Sequence, residues 1–217
     1  MNYAIDVLII IFLFTLYGAL HSVLASNKVK ALFKKKFGEL IAFYRLAYNV
    51  IAIILLYLLW EISPKPLTII YDLPNPFDLF TLIPQLIALA GLVWTIKYIC
   101  FREFIGLSQV KRYLKKNYTS ELDEELTLRI EGPYRYSRHP VYFFSIMFLL
   151  FRPAMDLFYL TVFLCIVIYF YIGSFYEEKK LIKNFGKIYS RYKESVPRIF
   201  PVKFFHPYSP SEIVETE

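Results

Sequence analysis

The side chains best suited to chemistry fall in two places: the stretch "GPYRYSRHPVY" (132–142) and the acidic pair Glu177–Glu178. The first carries Arg135, Arg138 and His139, with Arg129 just upstream, and abuts the apolar run "VYFFSIMFLLF". Pro140 follows a polar loop and opens a helical run, as a first-turn proline does. The unbonded amides of that turn and the positive end of the helix dipole lie beside Arg138 and His139. Together they make a site for a phosphate or a carboxylate. The competing reading, that these cations anchor a helix end to acidic lipid, is the one the spacing alone slightly favours. Glu177 and Glu178 close the last apolar segment, where the helix dipole disfavours carboxylates. Pairing of Glu177 with Lys180 at i,i+3 would offset only about 0.2–0.5 kcal/mol. A cation facing the pair is the sharper account. An anion site facing a cation site suits a zwitterionic ligand, such as one bearing a sulfonium.

The elements that must position these groups follow from composition. The 217 residues are 57% hydrophobic, against about 45–50% in a soluble domain, and the excess is gathered in blocks. A net charge of +7 then reads as cytoplasmic loops and anionic headgroups rather than nucleic acid. Cys100 and Cys165 sit in apolar runs with no disulfide or metal spacing, so no metal is expected. The block Tyr3–Ala25 contains Asp6 and lacks a basic leader and a cleavage site, so it reads as a retained span. Segments 4–25, 43–62 and 81–101 reach the length of about 20 residues that a span needs. Region 141–175 is broken at "FRPAMD" (151–156), which predicts a short arm, a tight turn and a longer helix. At about 1.5 Å per residue, 141–151 alone is too short to cross.

Lysine and arginine crowd 26–40 (five), 102–138 (eight) and 176–217 (eight), whereas 63–80 has only Lys65 and 151–156 only Arg152. The expected fold is all-α: a multi-pass bundle of about five transmembrane helices, N-terminus out and C-terminus in, in a prokaryotic cytoplasmic membrane. The Pro-rich loop 63–80 should be irregular. In the tail, Leu181, Phe185, Ile188, Tyr189 and Tyr192 recur at helical spacing, predicting a cytoplasmic amphipathic helix that ends before Pro197. Residues 1–217 read as one domain, with a three-helix part over 1–101 and the site-bearing part over 102–217.

"GPYRYSRHPVY" followed by "EEKKLIKNFGKIYSRYKESVPRIFP" resembles the membrane methyltransferase superfamily of isoprenylcysteine carboxyl methyltransferases and phospholipid methyltransferases, whose pattern is RHPxY, then EExxL, FGxxYxxY and VP. The pieces "HSVLAS" (21–26), "YRLAYNVIAI" (44–53), "FREFIGLSQ" (101–109), "RPAM" (152–155) and "YIGSFYEE" (171–178) resemble the methanethiol S-methyltransferase (NnrU-like) branch. The resemblance implies S-adenosylmethionine as methyl donor on the cytoplasmic side. Its contacts would be Tyr134, Arg138, His139, Pro140 and Tyr142 from the loop, and Glu177 and Glu178 from the helix end. Many relatives have Gly two residues after the RHPxY tyrosine; this chain has Phe144.

Methyl transfer from a sulfonium is an in-line displacement, for which a protein supplies positioning and desolvation. The acceptor expected from the branch is a small or lipophilic thiol. A free thiol with a pKa of about 8.5 is only a few per cent ionised near neutrality, so a base or cation would help. His21, within the first span, and Arg45, at the edge of the second, are the candidates. A helix-to-helix hydrogen bond is the alternative for His21. Tyr48 and Asn49 follow Arg45 by a turn, with packing expected for Tyr48. Arg152 and Asp156 are expected to pair structurally, and His206 to be inert. Most of the 19 Tyr and 21 Phe fit lipid-facing or interfacial positions. Competing acceptors are a lipid amine or an isoprenylcysteine carboxylate; a competing class is a non-catalytic NnrU-like membrane protein.

Overall fold

In lipid every backbone polar group must be bonded within the chain, and continuous apolar blocks of about 20 residues meet that demand as helices. The computed structural model describes residues 3–117, 122, 127–203 and 207–209. In chain order its elements are α1 (Tyr3–Ala25), α2 (Asn27–Phe37), α3 (Ile41–Ile62), β1 (Ile69–Asp72), the single turn α4 (Phe77–Phe80), α5 (Leu82–Ile96), α6 (Phe101–Ile105), α7 (Leu107–Leu114), α8 (Pro140–Leu150), β2 (Ala154–Asp156) and α9 (Leu157–Ser195). Four helical stretches are long and apolar enough to cross a membrane by length and composition: Tyr3–Ala25, Asn27–Ile62, Phe77–Ile96 and Leu157–Ser195. Leu8, Phe12, Ile53 and Tyr57 are all exposed on these helices, a liability in water and a favoured surface in lipid. The 11 residues of α8 span roughly 16 Å, about half a hydrocarbon core.

The chain divides into two compact units, Met1–Pro66 with Cys100–Thr127 and Leu67–Ile99 with Leu128–Glu217. In the first, α3 packs against α1, α2, α6 and α7. Tyr44 donates across to the Leu24 carbonyl at 2.7 Å. Segment 26–40, expected as a basic loop, is mostly helical. Ser26 caps α2 by accepting from the Val29 amide, and Lys34, Lys35 and Lys36 fall in its last turn, where the helix dipole favours cations.

In the second unit, α5 lies along α8. Their closeness depends on Gly91: a Cβ there would stand 2.2 Å from the Phe144 ring. Phe144 is thus accommodated by a glycine on the facing helix. The all-α expectation needs one correction. "TIIYD" and "PAMD" form a two-stranded antiparallel pair, β1 with β2, because the extended segment after α3 and the one between α8 and α9 would otherwise leave their backbone groups unpaired. Thr68 also accepts from the Leu157 amide at 2.8 Å. Asp156 does not pair with Arg152. Its carboxylate caps α9 by accepting from the Tyr159 amide at 2.7 Å, and Arg152 lies over the Tyr159 ring, 4.1 Å from its centre.

The expected amphipathic tail helix is continuous with the last span rather than separate. It bends at Gly186, whose φ of 52° and ψ of −126° are non-helical and suit only glycine. Beyond the bend, Tyr189 and Tyr192 bury with Val196 and Tyr208, packed by Leu181, Ile182, Phe185, Leu128 and Ile130. His206 lies outside the described residues.

Candidate functional site

Three segments of the second unit meet at one place: the loop 132–139, the middle of α9, and residues 196–199 just beyond its end. The meeting is held by backbone. Arg138 and His139 donate their amides to the carbonyls of Pro197 (3.0 Å) and Arg198 (2.9 Å), and the Ser137 hydroxyl donates to Ile199 at 2.7 Å. Pro140 then starts α8 in its first turn and is buried. Tyr134 sits in the 3-10 turn Gly132–Arg135, and its carbonyl accepts from the Tyr192 hydroxyl at 2.6 Å.

On this frame the predicted loop residues and the twin glutamates touch directly. His139 lies between the two carboxylates, Nδ1 3.2 Å from Glu177 Oε2 and Nε2 3.3 Å from Glu178 Oε1. Its ring stacks on Tyr142 at 5.2 Å, and Tyr142 stacks on Phe170 at 4.4 Å, all nearly parallel. The Tyr142 hydroxyl donates to Glu177 Oε1. Arg138 binds Glu178 Oε1 through Nε and Nη2, each at 2.9 Å. Its Nη1 donates to the carbonyls of Val196 (2.9 Å) and Lys193 at the end of α9. Arg198 Nη2 reaches Glu178 Oε2 at 3.2 Å, and Lys193 Nζ is 3.8 Å from the same oxygen.

The electrostatics follow from this crowding. Burial by itself would depress the His139 imidazole; hydrogen bonds to Glu177 and Glu178, and their charges, outweigh it and leave its pKa above the ordinary value. The Tyr134 phenol is pushed up to about 12, first by burial and then by the charge of Glu177. The two glutamates differ sharply. The Glu178 side chain is 3% exposed and surrounded by cations, whereas that of Glu177 is 53% exposed. The site can therefore offer Glu177 to an incoming cation while Glu178 holds the frame together.

All seven residues singled out for ligand contact, Tyr134, Arg138, His139, Pro140, Tyr142, Glu177 and Glu178, belong to this cluster or to the short segments that frame it. His21 and Arg45 lie in the first unit. The Tyr48 hydroxyl stands 2.6 Å from His21 Nε2, so Tyr48 does more than pack. Arg45 is half-buried one turn earlier on α3, and Asn49 donates to the Phe104 carbonyl at 3.2 Å. Arg198, Lys193, Ser137 and Phe170 were not anticipated. Arg198 stood in the quoted "VPRIFP", where a cation immediately after a helix-ending proline was the available signal.

A sequence profile described as phospholipid methyltransferase matches residues 84–188, a stretch that includes all seven of these residues. The chain is 31% identical over 199 residues to methanethiol S-methyltransferase 1 of Bradyrhizobium diazoefficiens, an alignment covering 90% of this chain and 67% of that protein. No solved structure matches. With the RHPVY loop and the EE pair joined in one ion-paired cluster inside the matched stretch, and with a relative aligned along most of the chain, the protein belongs to the phospholipid methyltransferase family.

Proposed function

We propose that this chain is an integral-membrane methyltransferase that uses S-adenosylmethionine and methylates a small or lipophilic thiol. The observation that carries the reading is the half-exposed Glu177 carboxylate set beside a buried group of cations, on the family's own RHPVY and EE elements. The donor set fits the methyl donor. Glu177 suits its cationic end, and Tyr142, whose hydroxyl donates to Glu177 Oε1, adds a polar edge beside it. Tyr134 and Pro140 shape the loop around them. Bound there, S-adenosylmethionine would supply an electrophilic methyl group. The chain's own part is to orient that group, exclude water and receive the acceptor proton.

For the proton we assign His21, whose Nε2 shares a hydrogen bond with the Tyr48 hydroxyl, and for stabilising thiolate we assign Arg45. Residues 1–217 act as one methyltransferase domain. The topology that suits the basic loops is five helices, with α8 as a short arm and the C-terminus and donor site cytoplasmic. The thiol acceptor rests on the methanethiol relative. A second reading, a lipid amine, is favoured by the phospholipid methyltransferase profile.

The test is acceptor profiling. Purified protein with methyl-labelled S-adenosylmethionine is offered methanethiol, longer thiols, farnesylcysteine and phosphatidylethanolamine, and products are read by mass spectrometry. Label on a thiol is the expected outcome. Label on phosphatidylethanolamine alone moves the assignment to the second reading, and no labelled product with any acceptor overturns both.

A further inference from the structure

The loop arginine is spoken for. Arg138 spends Nε and Nη2 on Glu178 and Nη1 on two carbonyls at the end of α9, and its side chain is 7% exposed. It acts as the internal counter-ion of Glu178 and as a tie between the loop and the helix end. Arg198 is differently placed. Its backbone is pinned, because its carbonyl accepts from the His139 amide at 2.9 Å and from the Ser137 hydroxyl at 3.2 Å. The root of its side chain is therefore as fixed as the site itself. Its guanidinium carbon lies over the Phe175 ring, 3.6 Å from the centre, with the Tyr171 ring at 5.8 Å. Only Nη2 is engaged by a carboxylate. Among the described residues Nε and Nη1 have no hydrogen-bond partner, and the side chain is 19% exposed.

Charge balance points the same way. Arg138, His139, Lys193 and Arg198 all lie within 4 Å of Glu177 or Glu178, so four cationic side chains share two carboxylates. Arg198 thus has only a share of Glu178, and a carboxylate placed beside it would meet a guanidinium with donors left over. A guanidinium fork on an aromatic floor is well suited to receive one with two parallel hydrogen bonds.

Resting on the donor reading above, we propose that Arg198, through Nη1 and the second N–H of Nη2, forms the subsite for the α-carboxylate of S-adenosylmethionine, while Arg138 serves only to hold Glu178. Arg198 is then a specificity residue that separates amino-acid-bearing donors from analogues lacking the carboxylate. It lies outside the stretch 84–188 that the family profile matches.

The test compares two ligands on full-length protein in nanodiscs: S-adenosylmethionine and decarboxylated S-adenosylmethionine, which keeps the sulfonium and the amine. Wild type should prefer the carboxylated donor. Arg198→Gln should weaken S-adenosylmethionine by about 10–100-fold, the range of a lost charge-assisted pair, and change the decarboxylated analogue by less than about threefold. Arg198→Lys, which keeps the charge and loses the fork, should fall between and guards against a Gln variant that does not fold. Equal weakening of both ligands, or preference unchanged by either variant, overturns the inference alone. Failure of wild type to bind either ligand overturns the donor reading as well.

Discussion

Each unit of the molecule contains a buried ion cluster, and the two are built differently. In the first unit, Glu103 faces Arg112 in a two-pronged pair with both bonds at 2.9 Å, and the Gln109 amide adds a third at 2.9 Å. Both charged side chains there are withdrawn from solvent. In the second unit Glu178 is equally withdrawn, but Glu177 next to it faces outward, and several cations crowd the pair. Buried pairs contribute little net stability because desolvation opposes attraction, yet breaking one leaves an expensive lone charge. The first cluster therefore reads as architecture. The second has the same architecture at its base, with a charged edge left accessible, and that edge is where a ligand of mixed charge can act.

The largest expected effect tests this division. Glu178→Gln and Glu103→Gln should each destabilise the protein by about 3–5 kcal/mol by stranding a buried guanidinium, read as a lowered thermal midpoint. Glu177→Gln should cost no more than about 1 kcal/mol, as for exposed pairs, while abolishing measurable S-adenosylmethionine binding. Equal thermal losses for Glu177→Gln and Glu178→Gln would erase the distinction between frame and edge.

A smaller effect asks whether the second cluster depends on how α8 is seated. Gly91→Ala puts a methyl group where the Phe144 ring lies, and such overpacking costs about 1–3 kcal/mol. In a double-mutant cycle with Phe144→Ala the two changes should be non-additive by about 1 kcal/mol or more, since the second removes the ring that the first collides with. Strict additivity would show that the contact does not hold α8 in place.

The smallest effect is pH-dependent and confined to the second cluster. His139 has a raised pKa in the folded protein, so protonation favours folding. The contribution is complete below the ordinary imidazole value of 6.5 and is lost as pH rises through the raised folded value. Thermal midpoints followed from about pH 6 to about pH 9 should fall over that window in wild type and fall less in His139→Gln. An identical slope in both would remove the clamped imidazole from the account.

Much of this was legible in the chain itself. The spans could be read because apolar length is a local property, and the break at 151–156 because Pro153 cannot sit inside a helix. The strand pair was not legible. β1 and β2 are separated by the five helices α4 to α8, and nothing in "TIIYD" names its partner. The i,i+4 spacing of Arg152 and Asp156 suggests a pair, but Asp156 caps the start of α9 and Arg152 meets an aromatic face instead. The bend at Gly186 was visible only as a glycine, not as a change of direction in a helix that runs on.

The sequence by itself determined the apolar spans and marked the RHPVY loop and the EE pair as chemistry-bearing, because hydrophobic length and motif chemistry need no partner to be recognised. Tertiary structure alone decided which glutamate is frame and which is edge. Adjacent residues on a helix point about 100° apart, so only the docking of α9 against 132–139 and 196–199 could turn Glu178 inward and Glu177 outward. That docking also committed Arg138 to the interior and left Arg198 with hydrogen-bond donors to spare.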